Sequence, residues 1–196
     1  CAIRANRMYE HHGVPRAVAE ELIRASYYHG SRNPDAIAYG RDLDLDAMRN
    51  SRWIAEPFRL FDCSRENDGA GAFLMVSAER ARDLKKPPVY LLGCANGAEK
   101  GWGDLLENDD EALYPTAGFR PIARRLYADT GLSPADIDVV QLYENFSAQG
   151  VASLIDHGFC AYENIAEVIR FDNLIAPTGK LPVNTGGGNF AQGFIH

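Results

Sequence analysis

Gly131-Leu132-Ser133-Pro134-Ala135-Asp136-Ile137-Asp138-Val139-Val140-Gln141-Leu142-Tyr143-Glu144-Asn145-Phe146 is the stretch on which the fold turns. Ser133 is a capping residue, Pro134 suits a first helical position and Asp136 brings an acid to the third, so 133–136 predicts one short turn. The apolar run 137–142 then has the length of a strand, and a helical pattern follows over 146–157, with Val151, Leu154 and Ile155 on its inner face and Gly158 as its stop. The polar tetrad Tyr143-Glu144-Asn145-Phe146 falls where a strand leaves a sheet and a helix begins, the place where α/β proteins commonly build sites.

Working upstream, Phe119, Ile122, Ala123, Leu126 and Tyr127 recur at i, i+3, i+4, i+7 and i+8, and Gly131 stands where a left-handed cap is expected. The runs 70–76 and 89–92 read as strands, joined by a helix that Ser77 caps and that Lys85-Lys86-Pro87-Pro88 ends. A polar segment, 97–111, reads as a surface connection. The stretch 30–68 is broken by turn signals and reads as an irregular, partly helical excursion. Ahead of it, Pro15 opens a helix carrying Val18, Leu22 and Ala25 on one face and ending near Tyr28, with Glu20 and Arg24 spaced as an i,i+4 pair. Downstream, 181–184 reads as a last strand running into Gly186-Gly187-Gly188. The grammar is α/β.

The chain of 196 residues carries 20 Lys+Arg against 27 Asp+Glu, a net charge of -7, and 46% hydrophobic residues. That is enough apolar material for a core, and the length allows one large domain or two small ones. The acidic balance argues against a nucleic-acid partner, because such binding needs clustered Lys and Arg. No apolar stretch approaches the ~20 residues of a bilayer-spanning helix, and the chain reads as soluble and cytoplasmic. Cys1, Cys63, Cys94 and Cys160 show no CxxC pairing, so neither a zinc site nor a disulfide framework is expected. A start at Cys1 and an end just after a Gly-rich turn suggest a piece of a longer protein.

Two features could carry chemistry. At the tetrad, Tyr143 and Asn145 share a side of the chain, either as site residues or as a packing ring and a helix cap. In Val183-Asn184-Thr185-Gly186-Gly187-Gly188, three glycines permit positive φ and a close backbone approach, either to a ligand or at the crossing of two elements. Asn184 can fix the turn or touch a substrate. The cluster Asp156-His157-Gly158-Phe159-Cys160 holds the residue types of a nucleophile system, but members of such systems are gathered by the fold, and a buried Cys is the commoner case. His11, His12 and His29 lack the carboxylate or Cys partners of a metal site, so no metal is expected.

In this order, Asn67-Asp68-Gly69-Ala70, then 131–138 leading to Tyr143-Glu144-Asn145-Phe146, then Gly158-Phe159-Cys160, then Val183-Asn184-Thr185-Gly186-Gly187-Gly188, the chain resembles the second half of a thiolase-fold protein of the sterol-carrier-protein thiolase and lipid-transfer type. The resemblance covers nearly the whole chain. It implies an α/β, thiolase-like layered sandwich: 1–66 as part of the loop (cap) domain, 67–111 as the last strands of the N-terminal half with a connection, and 112–196 as the C-terminal half, truncated. It also implies a dimer acting on acyl-CoA thioesters, with coenzyme A present as part of the substrate and no tightly bound cofactor. Relatives scaffold an OB-fold partner, so such a subunit is a second expected partner.

The departures from the family pattern bear on function. Ordinary thiolases have Asn-Glu-Ala-Phe where this chain has Tyr143-Glu144-Asn145-Phe146, and Gly-His-Pro where Gly193 is followed by Phe194. A phenyl ring neither donates to an oxyanion nor takes a proton, which argues against condensation by the usual machinery. A tyrosine opening the tetrad is similar to the steroid side-chain aldolases, thiolase-fold lyases that cleave a β-hydroxyacyl-CoA by a retro-aldol step. Their second tyrosine falls at or near Phe194, and His196 is a substitute base without a motif match. Ser64 matches a loop position beside the pantetheine arm of coenzyme A, or is a solvated turn residue. The expected site is thus Tyr143, Asn145 and His196 for catalysis, with Ser64, Gly186, Gly187 and Gly188 for binding. The alternatives are a non-catalytic subunit binding acyl-CoA or lipid, and an acyltransferase using an upstream cysteine.

Overall fold

The computed structural model describes residues 1–97 and 118–195. His196 and most of the expected connection over 97–111 lie outside the described residues. Helix α1 is Ala2–Glu10 and α2 is Arg16–Gly30; α3, Leu45–Arg49, precedes a two-stranded antiparallel sheet of β1, Trp53–Ala55, and β2, Phe58–Arg59. After a 3-10 turn at Leu60–Asp62 come α4, Ala78–Ala81, and α5, Arg120–Thr130; a second 3-10 turn, Pro134–Asp136, leads to α6, Ser147–Asp156. The short helices α7, Ile165–Val168, α8, Phe171–Leu174, and α9, Gly188–Ala191, complete the described part.

Helix α2 organises the fold. Val18, Ala19, Leu22 and Ala25 enter one apolar cluster with Val151, Leu154 and Val183, while Ile23 and Tyr27 enter a second with Phe190 and Ala191. Two stripes on one helix bury it on two sides, against α6 and against α9. Leu22, Leu154, Val151 and Val183 are fully buried, and each contributes about 1.5–3 kcal/mol relative to exposure. Close approach depends on residues without bulk: a Cβ at Gly150 of α6 would sit 2.5 Å from Leu22, and one at Gly30 would sit 2.5 Å from the Ala191 Cβ. Residues of the expected cap segment 1–66 and of the stretch after 118 therefore share one core.

Local chemistry explains the helix ends. Gly131 closes α5 in the left-handed conformation, φ 70°, its N–H donating to the Tyr127 carbonyl. The Asp136 carboxylate accepts from the Ser133 N–H at 2.8 Å and its hydroxyl at 2.6 Å, making the expected turn. Ser77 caps α4, but that helix ends at Ala81, ahead of the two lysines. The anticipated Glu20–Arg24 pair does not form. Arg24 pairs with Glu21 at 2.6 Å and lies over the Phe171 ring at 4.6 Å, while Glu20 meets Arg49 at 2.9 Å. Glu21 is held in place for this by accepting the Phe171 N–H at 2.6 Å.

The runs expected as strands at 70–76 and 89–92 form no regular secondary structure and are unpaired among the described residues. Phe73 is 88% and Val89 98% exposed, with Leu74, Met75, Leu91 and Leu92 also exposed. Strand stability comes from cross-strand partners, and none faces these runs among the described residues. The 137–142 and 181–184 stretches do meet, side by side and parallel, through a single bridge at Val140 and Val183. The Val140 N–H donates to the Pro182 carbonyl at 2.9 Å, and the Asn184 N–H donates to the Val140 carbonyl at 2.8 Å.

Candidate active site

The parallel pair delivers two loops to one place. Asn184 turns the chain with φ 50°, a left-handed conformation that Asn tolerates better than most residues, and its side-chain oxygen accepts the Leu142 N–H at 2.7 Å. It is 1% exposed, so its role is to fix the turn. The residue after Leu142 is Tyr143, which emerges at 60% exposure with its ring 5.6 Å from that of Phe194, the planes tilted by 59°. A phenol on an open face can donate or accept a proton, whereas the phenyl beside it supplies only an apolar wall.

A third segment, 63–67, zips these loops together. Cys63 bridges antiparallel to Phe146, and Glu66 bridges parallel to Phe194. The Ser64 N–H donates to the Asn145 carbonyl at 2.9 Å and the Arg65 N–H to the Asn189 carbonyl at 2.9 Å. The Phe194 N–H donates to the Arg65 carbonyl at 2.7 Å, and the Asn67 N–H to the Phe194 carbonyl at 2.8 Å. Beyond it lies an open groove lined by Glu66, Asn67, Asp68, Gly69 and Ile195. Tyr143, Asn145, Ser64 and Phe194 are thus gathered into one neighbourhood. Asn145 does not cap α6: the capping position is Phe146, and its side chain makes no capping bond.

The glycine triplet lies below this face. Gly187, φ 114°, packs where a Cβ would come within 2.8 Å of the Gly30 Cα. Gly188, φ 56°, covers the Glu144 carboxyl so closely that a Cβ would collide with its Oε1. The Gly186 carbonyl accepts from Asn33 Nδ2 at 2.9 Å. Of the two roles open to this motif, the structure displays the crossing of two elements.

Glu144, the tetrad member given no role on sequence grounds, is fully buried. Its Oε1 accepts the Asn189 N–H at 2.6 Å, while Oε2 makes no well-aligned hydrogen bond among the described residues. Burial pushes the carboxyl up from an ordinary 4.5 to about 7, an effect that the surrounding amides of Asn189, Phe190 and Asn184 offset only in part. Between those pH values the folded protein holds a proton that the unfolded chain has released. The resulting stabilisation is complete below about pH 4.5 and is lost as pH rises through about 7. Denaturant unfolding at pH 5 and pH 8 should show the wild type losing about 3 kcal/mol relative to Glu144→Gln, which cannot titrate.

Two other groups take framework roles. Asp156 accepts the Phe119 N–H at 2.9 Å and pairs with Arg120 at 3.6 Å, tying down the start of α5. The Cys160 thiol is buried and pushed up to about 12, which keeps it from acting as a thiolate nucleophile. His29 Nε2 accepts the Ala176 N–H at 2.9 Å, and burial lowers its pKa. His12 stacks on Tyr162 at 4.3 Å. No metal-holding cluster of His, Cys, Asp and Glu occurs among the described residues.

Residues 104–194 match a family model described as thiolase C-terminal domain-like. The chain is 38% identical over 168 residues to a 17-hydroxy-3-oxo-4-pregnene-20-carboxyl-CoA lyase of Mycobacterium tuberculosis, covering 86% of this chain and 43% of that protein. It is likewise 38% identical over 170 residues to a steroid side-chain-cleaving aldolase of Thermomonospora curvata, again covering 86% and 43%. An acetyl-CoA acetyltransferase of Methanothermobacter thermautotrophicus is 28% identical over 98% of this chain and 49% of its own length. The chain therefore spans less than half the length of these relatives. Among solved structures, an Ltp2-ChsH2(DUF35) aldolase superposes with a TM-score of 0.87 at 32% identity, over 100% of this chain and 51% of that one. A chain that keeps such a superposition from end to end has an α/β, thiolase-like fold and belongs to the thiolase superfamily, with steroid side-chain-cleaving aldolases and a lipid-transfer protein-like homologue among its relatives.

Proposed function

We propose that the protein cleaves a carbon-carbon bond in a β-hydroxyacyl-CoA by a retro-aldol step, in the degradation of a steroid or lipid side chain. The observation that carries this reading is the Tyr143 phenol standing exposed at the strand-to-helix junction, beside an apolar ring at Phe194. Its 38% identity to two enzymes named for this kind of lysis supports it. In the reaction a base takes the β-hydroxyl proton, the Cα–Cβ bond breaks, and its electron pair passes into the thioester enolate. A ketone or aldehyde leaves, and a proton returns to Cα. Tyr143 serves as the acid/base group.

Ser64 serves the pantetheine arm of coenzyme A and Asn145 takes a catalytic role beside Tyr143, a reading supported by the backbone bond that joins the two segments. Gly186, Gly187 and Gly188 shape the site indirectly, by setting the turn that carries Phe194. His196 is a further candidate base. Coenzyme A enters as part of the substrate, with no tightly bound cofactor. The segments 1–66, 67–111 and 112–196 correspond to cap, end of the N-terminal half and C-terminal half of a dimeric, cytoplasmic enzyme; no described helix is long and apolar enough to cross a membrane. The similarity to the Ltp2-ChsH2(DUF35) aldolase supports a partner subunit, which we take to be of the OB-fold kind.

The complete gene product, alone and with a DUF35-type partner, should release a ketone or aldehyde from a β-hydroxyacyl-CoA. Binding of the thioester without any release would favour the second reading, a non-catalytic acyl-CoA- or lipid-binding subunit. Phe194 is the feature in its favour, since it occupies a position where a polar group would otherwise work. The 26% identity to a non-specific lipid-transfer protein-like 2 of Caenorhabditis elegans is consistent with it.

A further inference from the structure

We propose that Glu144 is the positioning residue of this site, a buried clamp that holds the Phe194 wall opposite Tyr143; the idea rests on the retro-aldol reading for its catalytic consequence but not for its structural one. Glu144 is the immediate chain neighbour of Tyr143, yet its side chain points the other way, into the protein, and is 0% exposed. There its Oε1 takes the Asn189 N–H at 2.6 Å, the second residue of α9, five residues before Phe194. One carboxyl therefore ties the tetrad loop directly to the stretch that ends in the opposing ring.

The surroundings show a socket built for this group. Gly188 leaves room for Oε1, and Gly150 leaves room for the Glu144 Cβ, which a methyl there would approach to 2.9 Å. Asn184, fully buried, also lies against this pocket and anchors Leu142 just ahead of Tyr143. The Asn184 side-chain amide acts on the Glu144 carboxyl alongside the backbone N–H groups of Asn189 and Phe190, so the socket offers the carboxyl several donors. Burying a carboxyl is costly unless it is bonded, and a residue that only needed to fill space here would be apolar. The gathered surroundings are amides and small residues, so the group's geometry, more than a charge partner, does the holding.

The clamp separates carboxyl reach from carboxyl charge. Glu144→Gln keeps an acceptor at the same reach, whereas Glu144→Asp keeps the charge but withdraws the acceptor by about one carbon-carbon bond, ~1.5 Å. Asn189→Pro removes the donor at a first-turn helical position that accepts proline, and Asn189→Ala, which keeps the N–H, controls for the lost side chain. In the complete gene product, amide hydrogen exchange over 188–194 should be at least ~10-fold faster in Glu144→Asp and Asn189→Pro than in wild type, and unchanged in Glu144→Gln. Where turnover is measured, kcat should fall about 100-fold in the first two with KM within about threefold, because a displacement of this size spoils alignment more than affinity. Should Glu144→Asp fail to fold, Asn189→Pro carries the same comparison. Wild-type exchange and kcat in both variants, or equal loss in Glu144→Gln, would overturn the clamp. A wild-type protein that releases no ketone or aldehyde would remove the aldolase reading, while the exchange contrast would still decide whether the clamp exists.

Discussion

Replacing Tyr143 by Phe is expected to lower β-hydroxyacyl-CoA cleavage about 10²- to 10⁴-fold, the range that a positioned proton-transfer group supplies. The substitution deletes one hydroxyl from a side chain that is 60% exposed and whose ring already lies against Phe194. Stability should therefore change by no more than about 0.5 kcal/mol, the usual span for a surface position. The result to look for is a collapse of kcat with KM within a few-fold and an unchanged unfolding midpoint. Ketone release would be followed directly, with the thioester product as a second measure. Full turnover in Tyr143→Phe would remove the phenol from the mechanism.

The second large effect concerns stability. Gly188→Ala should cost about 4 kcal/mol, as the sum of two terms that act on the same atom. At φ 56° an L-residue is strained, and the new methyl would strike Glu144 Oε1 and lie 2.7 Å from Asn184 Nδ2. Neither neighbour can yield easily: the Glu144 carboxyl is bonded to Asn189 and the Asn184 oxygen to Leu142. Gly131→Ala is the natural control, since φ is 70° there but nothing lies within 4 Å of the added carbon. It should cost about 1–2 kcal/mol, the backbone term alone. Urea unfolding of both variants separates strain from collision, and a loss at Gly188 no larger than at Gly131 would mean that the turn relaxes around the methyl.

What the sequence made legible follows from how local each determinant is. Helices α2, α5 and α6 carry their apolar positions at helical spacing, and their ends are marked by Pro15, Gly131 and Gly158. The Ser133–Asp136 turn is encoded by four adjacent residues. Helix α1 leaves only a faint trace in the sequence, because Ala5 and Met8 are its only buried residues and Arg4, Arg7 and Glu10 surround them. The four-residue helices α7, α8 and α9 are set by tertiary contact and leave no periodic trace. The same distinction governs 70–76 and 89–92, where apolar composition suggested strands but pairing is a property of neighbours.

At the site, the order of motifs brought Tyr143, Asn145 and Ser64 into one expectation, and they do lie together. The zipper over 63–67 was invisible, since its bonds are made by backbone groups that every residue possesses. Glu144 is not legible in the sequence for a different reason. Nothing in Tyr143-Glu144-Asn145-Phe146 announces that the acidic member faces inward; that direction is fixed by glycines at 150 and 188, one of them 44 positions away along the chain.

Helix α2 has a consequence for how the protein comes apart. Because its two stripes serve two clusters at once, and Gly30 touches Gly187 and Ala191 at its end, the helix cannot detach from one neighbour and stay seated on the other. Melting should then be concerted, with the segment ahead of residue 66 and the part carrying Tyr143 losing order in the same transition. A boundary drawn along the sequence would in that sense have no counterpart in the thermodynamics.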